Sequence, residues 1–205
     1  GQCKITASIT NAYSNVRLVG AGSGVPHDGG STATPATSFL WYGSAGGVMY
    51  AQSSPTGGSN SLQVGGGLIG IAFDGRAIAG YGVSITAVRY GVLTDLFVKD
   101  VTTAGYRLTC NLSSDYAEAA DTQGWLFEKL SWRMIDSAPV QSAIGVLLNG
   151  SATANTSFNT FVNCSGETYN GDGWDFTDAD NNTLIDCRAF TSGTGKPFRL
   201  RGTTV

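Results

Sequence analysis

The residues best suited to chemistry are acidic side chains in the second half of the chain. Asp172 and Asp175 lie within the segment Gly171 to Phe176, and Glu128 directly precedes a run with the composition of a strand. Glycosidases use two carboxyl groups, which lie about 5 Å apart in retaining enzymes and up to about 9.5 Å apart in inverting ones. We therefore take Asp175, Asp172 and Glu128 as candidate catalytic residues.

These acids also have structural interpretations. Asp172 and Asp180 fit turns, where an aspartate side chain accepts hydrogen bonds from the nearby backbone. Among the acids, Asp175 alone falls at the outward position of the strands described below, which favours a functional role for it. The others fit corners or hydrogen-bonded positions of a repeating chain path: Asp95, Asp100 and Asp186.

Basic and aromatic side chains are the candidates for holding a sugar chain. Arg107 and Arg199 fall at outward positions of predicted strands, and we take them as candidate substrate-binding residues. Trp125 lies beside a predicted insertion at 111–124, and Tyr116 lies within it. Insertions of this kind often wall the binding surface of a repeat protein, so both aromatic residues are further candidates.

The composition excludes several classes of partner. The net charge is −3 and the basic residues are scattered, so a surface that follows nucleic-acid phosphates is not expected. The sequence contains no run of 18 apolar residues, so no membrane-spanning helix is predicted. The 29 glycines and a charged fraction of 13% indicate a turn-rich β protein with a neutral surface of hydroxyl and amide groups. Such a surface suits carbohydrate.

Cysteine and histidine give no metal-site pattern. None of the four cysteines forms a Cys-x-x-Cys motif, and the one histidine, His27, lies in a polar loop. We therefore predict no metal or other cofactor, except that a polysaccharide lyase would need calcium. Cys164 and Cys187 occupy matching positions in two repeats, so stacked thiols are expected, with a disulfide or a metal site as the alternatives.

Short strand-like segments recur along the chain. The sequence of residues 159–164 is similar to that of residues 182–187, and the segment Gly173 to Phe176 is similar to Gly195 to Phe198. A repeat of about 23 residues, rich in β-branched, aromatic, Asn and Gly residues, is typical of a β-solenoid. We predict one all-β domain over 1–205, a single-stranded right-handed parallel β-helix, with loops at 23–37 and 53–61. Both ends read as uncapped coils, so we expect a segment of a longer solenoid or ends covered by other chains.

Two series of strands follow from this repeat. The first consists of runs beginning at Ile71, Leu96, Leu130, Phe161 and Leu184. In the second, a glycine precedes inward residues that include Trp174, and Trp132 of the first series is likewise expected in the core. The outward positions of the second series form a predicted ladder, which is our candidate functional face: Ser84, Arg107, Leu147, Asp175 and Arg199.

Three stretches of the chain resemble the pectate-lyase superfamily of right-handed parallel β-helices, especially bacteriophage tail spikes and polysaccharide-degrading enzymes. They are the start of the chain with Ser14 to Gly22, the segment Gly67 to Gly75, and the Asn-Thr-hydrophobic coils together with Gly171 to Phe176. The resemblance implies an extracellular or virion-surface protein that acts on polysaccharide. The N-terminal cap and the glycine-rich opening of that superfamily are missing.

The catalytic motifs of the superfamily do not carry over. Polygalacturonase-like members use carboxylates on adjacent coils and a histidine in a Gly-His-Gly turn. Here Thr194 stands where that histidine would be, a single Asp172 stands where paired aspartates would be, and Ser142 to Gly145 replaces an Asn-Thr-Asp motif. The resemblance therefore predicts the fold more firmly than it predicts a hydrolase or a lyase.

Two functions remain as hypotheses. The first is carbohydrate recognition, with or without depolymerisation, by a virion tail spike or a secreted glycosidase or lyase. The second is a non-catalytic structural shaft in a virion fibre or surface adhesin. The expected partners are polysaccharide and other copies of the chain, as a homotrimer or within a larger assembly, with no nucleic acid and no membrane insertion.

Overall fold

The computed structural model describes residues 1–24, 36–54, 63–110, 121–136, 140–150 and 155–202. Within these residues the regular structure is β strand, numbered β1 to β21 in chain order, and there is no helix. Every described strand pair is parallel. The predictions of an all-β chain and of parallel pairing are confirmed.

The described strands form three sheets. Sheet A contains β1 (Gln2–Ile5), β3 (Arg17–Val19), β4 (Ser38–Trp41), β7 (Gly67–Asp74), β10 (Val92–Lys99), β13 (Leu126–Met134), β16 (Thr160–Val162), β17 (Ser165–Thr168), β19 (Thr183–Ile185) and β20 (Arg188–Thr191). Sheet B contains β2 (Ile9–Asn11), β5 (Val48–Ser53), β8 (Tyr81–Thr86), β11 (Ala104–Thr109), β14 (Ile144–Asn149), β18 (Trp174–Thr177) and β21 (Phe198–Arg201). Sheet C contains β6 (Gln63–Val64), β9 (Val88–Arg89), β12 (Thr122–Gln123) and β15 (Thr156–Ser157).

The chain visits the sheets in a repeating order. It runs from sheet C to sheet A to sheet B, as in β9, β10 and β11, and then returns to sheet C at β12. We call one such round a pass. Each strand pairs with its equivalents in the preceding and following passes, so equivalent residues lie one strand spacing apart, about 4.8 Å. Equivalent residues therefore form columns along the stack.

A column of left-handed residues bends five successive passes through sheet A, from β7 to β19. Its members lie between paired residues of adjacent strands and all have positive φ: Gly70 (68°), Asp95 (53°), Lys129 (55°), Asn163 (53°) and Asp186 (50°). Glycine, Asn and Asp adopt this backbone at low cost. The interpretation of Asp95 and Asp186 as corner residues is confirmed, and so is that of Asp100, with φ of 53°.

Because of this bend, the first predicted strand series is only partly right. Ile71, Leu96 and Leu130 are equivalent residues, as predicted. Phe161, however, pairs with Phe127, three residues before Leu130, and Leu184 continues that earlier column. The bend lies within β7, β10 and β13, and it separates β16 from β17 and β19 from β20. Apolar residues lie both before and after the bend, so the predicted series matched residues before the bend in the late passes with residues after it in the early passes.

Aromatic side chains of sheets A and B pack against one another in the interior. The Phe127 and Phe161 rings stack with centroids 4.4 Å apart, and Trp174 meets the edge of both Phe161 and Trp132, at 5.2 Å and 5.3 Å. Trp132 and Trp174 are buried, which confirms their predicted inward positions. A Cβ added to Gly145 or Gly166 would overlap the Trp132 ring, so these glycines make the space for it.

A pair of stacked asparagines explains the repeat of residues 159–164 at 182–187. The side chain of Asn159 is buried, and its Oδ1 accepts the backbone N–H of Trp125 at 3.1 Å. Its Nδ2 donates to Oδ1 of Asn182 at 3.0 Å, and Asn182 in turn donates to the Thr156 carbonyl at 2.9 Å. Each asparagine thus supplies the hydrogen bonds that the backbone lacks where it turns from sheet C into sheet A.

Candidate functional site

The predicted outward ladder of sheet B is present in the structure. Arg107 pairs with Ser84 and Leu147, Leu147 pairs with Asp175, and Asp175 pairs with Arg199. The ladder therefore brings Arg107, Asp175 and Arg199 onto one face of sheet B. Asp175 lies two passes after Arg107, and Arg199 lies one pass after Asp175. The predicted match of Gly173 to Phe176 with Gly195 to Phe198 is wrong by two residues, because Phe198 pairs with Trp174 and Leu200 pairs with Phe176.

Asp175 lies beneath an arginine of the next pass. Its carboxylate forms an ion pair with the Arg201 guanidinium and accepts a hydrogen bond from the Thr177 hydroxyl at 3.4 Å. The Asp175 side chain is only 2% exposed, whereas that of Arg201 is 48% exposed. The carboxylate is consequently covered by its partner instead of facing solvent.

Asp172 is held in the same way. Nε of Arg199 lies 2.8 Å from its Oδ2, and the backbone N–H of Lys196 donates to its Oδ1 at 2.8 Å. The Asp172 side chain is 5% exposed. Arg199, a predicted substrate-binding residue, thus uses its Nε to neutralise a predicted catalytic one. In this arrangement both aspartates fasten the pass that contains β21 to the pass before it.

Glu128 lies elsewhere on the molecule. It belongs to β13 of sheet A and stands opposite Thr94 and Val162. Its carboxylate is partly exposed and lies 3.9 Å from Nζ of Lys129. The structure therefore places Glu128 in sheet A, Asp175 in sheet B and Asp172 just before β18, and does not assemble the three acids on one sheet.

The prediction that Trp125 is exposed to sugar is wrong. Trp125 is buried, its Nε1 donates to the Val88 carbonyl at 2.8 Å, and its ring stacks on Phe127 with centroids 5.9 Å apart. A Cβ on Gly91 would overlap the same ring, which shows how closely the backbone covers it. The position of Trp125 beside the predicted insertion at 111–124 gave no indication that its side chain is buried. Tyr116 and His27 lie outside the described residues.

Arg107 forms a cluster with two residues of the preceding pass. Its Nε donates to the Ser84 hydroxyl at 3.0 Å, and its guanidinium carbon lies 4.3 Å from the centroid of the Tyr81 ring. Among the residues that the structure describes, no carboxylate forms an ion pair with it. Both Arg107 and Tyr81 are partly exposed. The cluster therefore presents a positively charged, planar group on the outer face of sheet B.

Sequence reasoning missed Tyr81. It directly precedes Gly82, the first glycine of the second strand series, and an aromatic residue at that position could have been noted. The stacking depends on Arg107 reaching back over the preceding pass, and this follows only from the observed register, in which Ala104 pairs with Tyr81.

A second surface feature lies where sheet C turns into sheet A. A second column of positive-φ residues runs along this turn: Gly65 (76°), Tyr90 (59°), Gly124 (70°), Phe158 (55°) and Asn181 (51°). For a non-glycine residue this backbone costs about 1–2 kcal/mol, and bulky side chains rarely adopt it. Tyr90 and Phe158 nevertheless do so, and they are 59% and 62% exposed. We call Tyr90, Gly124 and Phe158 the aromatic corner.

Two cysteine thiols meet inside the stack. Cys164 and Cys187 are equivalent residues of adjacent passes and are not joined by a disulfide. A hydrogen bond with Cys164 lowers the pKa of Cys187 to about 7, and burial raises the pKa of Cys164 well above its ordinary value. Cys164 is buried while Cys187 is partly exposed. The prediction of stacked thiols agrees with this arrangement.

Within the described ranges, no three residues among His, Cys, Asp and Glu lie close enough together to hold a metal ion. None of the described segments is a helix of the length and hydropathy needed to cross a membrane.

Comparison with known proteins relates the chain to one solved structure by fold. No protein-family model matches the chain, and no curated protein matches it. The structure of the ORF18 protein of Geobacillus virus E2 is similar with a TM-score of 0.53 at 15% sequence identity. The similarity covers 99% of this chain and 51% of that protein, so the chain spans about half the length of its structural neighbour.

Proposed function

We propose that this chain is a section of a right-handed parallel β-helix on a virus particle, and that it binds acidic polysaccharide on the outer face of sheet B. The observation that carries the binding proposal is the Tyr81–Ser84–Arg107 cluster. Arg107 is preoriented by a ring and a hydroxyl, yet no described carboxylate neutralises it. A guanidinium in this state recognises a carboxylate through two parallel hydrogen bonds.

The cluster has the elements that an acidic sugar requires. Tyr81 fixes the plane of the guanidinium, and Ser84 binds Nε, which leaves the terminal nitrogens of Arg107 for a ligand. Because its orientation is already set, less side-chain freedom is lost on binding. A uronic-acid polymer, which combines carboxylates with hydroxyl groups, is the ligand class that suits this face best.

Binding without cleavage on this face is the form of the function that we favour. Asp172 and Asp175 are buried under Arg199 and Arg201, and a general acid or base must reach the proton that it transfers.

Two observations support a β-helix on a virus particle. The chain passes through sheets C, A and B in turn with parallel pairing between successive passes, as a solenoid requires. The structural neighbour is a viral protein, although the likeness itself concerns only the fold. The earlier resemblance to phage tail spikes points in the same direction.

A structural shaft is the second candidate function. It is favoured by the ion pairs that bind one pass to the next, Arg199 to Asp172 and Arg201 to Asp175, because they add cohesion along the stack. A shaft also needs no ligand at Arg107.

Affinity electrophoresis distinguishes the two functions. The protein is run through native gels that contain polygalacturonate, alginate or hyaluronate, with neutral dextran gels as the reference. We expect retardation in at least one acidic gel, weakened about tenfold or more by Arg107→Ala, as for the loss of a charge-assisted hydrogen bond. Reducing ends and absorbance of unsaturated uronate are measured on the same polymers and should not rise.

Arg76→Ala is the matched control. Arg76 also stacks on a tyrosine, with its guanidinium carbon 4.0 Å from the Tyr42 ring, but it lies in the turn between β7 and β8 and not in a strand of sheet B. The control should bind like the wild type. Equal loss in both variants would mean that only net charge matters, and absence of retardation in every acidic gel would favour the shaft.

A further inference from the structure

We propose that the aromatic corner is a second polysaccharide contact, at which Tyr90 and Phe158 stack on the faces of sugar rings. This inference rests on the proposed function and adds a site on a different side of the stack. The ligand class is a chain of pyranose sugars, recognised by its C–H faces rather than by its charge.

The backbone at this corner indicates that the rings are there for a purpose other than stability. The other members of the column are Gly65, Gly124 and Asn181, residue types that tolerate positive φ. Tyr90 and Phe158 adopt the same backbone although their side chains disfavour it, and their apolar rings remain exposed. A positive-φ backbone at bulky residues costs stability, exposed rings return little of it, and such outliers are concentrated at functional sites.

The Tyr90 ring has the geometry of a stacking platform. A Cβ placed on Gly124 would lie 2.5 Å from Cδ1 and 2.7 Å from Cε1 of Tyr90, so the ring rests directly on the glycine of the next pass. The Cδ1–Cε1 edge of the ring is therefore supported by the backbone of Gly124, and the 59% exposure of Tyr90 leaves much of the ring open to solvent. Any larger residue at 124 would push the ring off this surface.

The spacing of the two rings suits a polymer. Tyr90 and Phe158 are separated by two passes, which corresponds to roughly 9.6 Å along the stack. This is the length of a disaccharide, so both rings can contact alternate sugars of one chain that runs parallel to the stack.

Polar groups beside the rings favour a sugar over another protein surface. Arg89 and Gln123 are paired residues of the two sheet C strands that lead into Tyr90 and Gly124. Arg89 and Asp121 form a partly exposed ion pair at 3.5 Å, and Gln123 is partly exposed as well. Sugar hydroxyls can bond to such groups while the ring faces stack, whereas the centre of a protein interface is depleted in charge.

The test uses the same native gels with six variants of the chain. Tyr90→Ala and Phe158→Ala should each weaken retardation about fivefold, as for the loss of an aromatic contact, and the double variant should weaken it further. Tyr90→Gly should weaken retardation equally while its melting temperature stays equal to or above that of the wild type, because glycine relieves the backbone. Gly124→Ala should also weaken binding, since it displaces the Tyr90 ring. Phe190→Ala, which removes an exposed ring from sheet A, is the control and should have no effect.

Each outcome decides between specific possibilities. If Arg107→Ala abolishes retardation but the corner variants bind like the wild type, this inference is wrong and the proposed function stands. If the corner variants lose binding while Arg107→Ala does not, the polysaccharide binds at the corner and the Arg107 proposal is wrong. If the corner variants instead abolish self-association in sedimentation velocity and leave retardation unchanged, the rings contact a second copy of the chain and this inference is overturned.

Discussion

The guanidinium of Arg201 covers the carboxylate of Asp175, and the two residues belong to adjacent strands of sheet B. The carboxylate is buried whereas the guanidinium is half-exposed. An ion pair of this kind is asymmetric, because removing the exposed partner leaves a buried charge uncompensated, while removing the buried charge leaves the other to be hydrated.

The first prediction follows from that asymmetry. Arg201→Ala should lower the free energy of unfolding by about 3 kcal/mol, and Asp175→Asn by only about 1 kcal/mol. Urea denaturation followed by tryptophan fluorescence measures both. Arg188→Ala, which removes an exposed arginine from the adjoining sheet A, controls for the loss of a cation near the same end of the stack. Equal losses for Arg201→Ala and Asp175→Asn would show that the carboxylate is hydrated despite its cover.

The second prediction concerns the glycines around Trp132. Gly145→Ala and Gly166→Ala should each destabilise the chain by about 1–3 kcal/mol, because the new methyl group must displace a buried indole ring. Gly202→Ala is the control, since a Cβ there meets nothing within 4 Å. The three melting temperatures give the comparison, and a Gly145→Ala protein as stable as Gly202→Ala would mean that the Trp132 ring has room to move.

The third prediction tests the stacked asparagines. Asn159→Ala should cost about 2 kcal/mol, because it leaves the buried N–H of Trp125 without an acceptor. The matched control is Asn181→Gly, which changes an exposed asparagine with φ of 51° and should be neutral or slightly stabilising. Chemical denaturation measures both, and a small loss for Asn159→Ala would indicate that water replaces the amide.

The fourth prediction is a pH dependence set by the cysteine pair. Because the pKa of Cys187 falls from 9.0 to about 7 on folding, the folded pair releases one proton near pH 7 and the unfolded chain still holds it up to about pH 9. Stability should therefore rise between pH 7 and 9. Above pH 9 the unfolded chain also loses the second proton, which the raised pKa of Cys164 retains in the folded state, so stability should fall again.

Melting temperatures from pH 6 to 10, compared with those of Cys187→Ala, measure this contribution. Iodoacetamide should alkylate Cys187 with a midpoint near pH 7, and Cys164→Ala should move that midpoint upward by removing the hydrogen bond. A midpoint that Cys164→Ala leaves unchanged would contradict the role assigned to this hydrogen bond.

The strand pairing of sheet B could be predicted from the sequence because its inward residues alternate strictly after a glycine. This pattern located Arg107 and Asp175 in one ladder, whereas Gly195 lies two residues too early to give the register of Arg199. In sheet A one left-handed residue interrupts the alternation in each of the passes from β7 to β19. The residue types at this bend differ from pass to pass, so the sequence does not mark it, and the prediction matches Phe161 with Leu130 although Phe161 pairs with Phe127.

The environment of the site residues could not be predicted in the same way. The burial of Asp175 depends on Arg201, which comes from a neighbouring pass and is not marked by any motif. Trp125 is buried by its fit against Gly91, and Tyr90 is exposed because its backbone turns the ring outward. Sequence periodicity gives the side of a strand on which a residue lies, but not what covers it.

The connections from sheet B to sheet C differ greatly in length while the register of both sheets stays constant. A single residue, Ala87, joins β8 to β9, whereas residues 54–62 and 110–121 make the same connection in neighbouring passes. The entropy cost of closing a loop grows only slowly with its length. This junction is therefore a natural place to graft a foreign peptide, such as an epitope or an enzyme tag, and a series of such grafts could be displayed at intervals of one strand spacing.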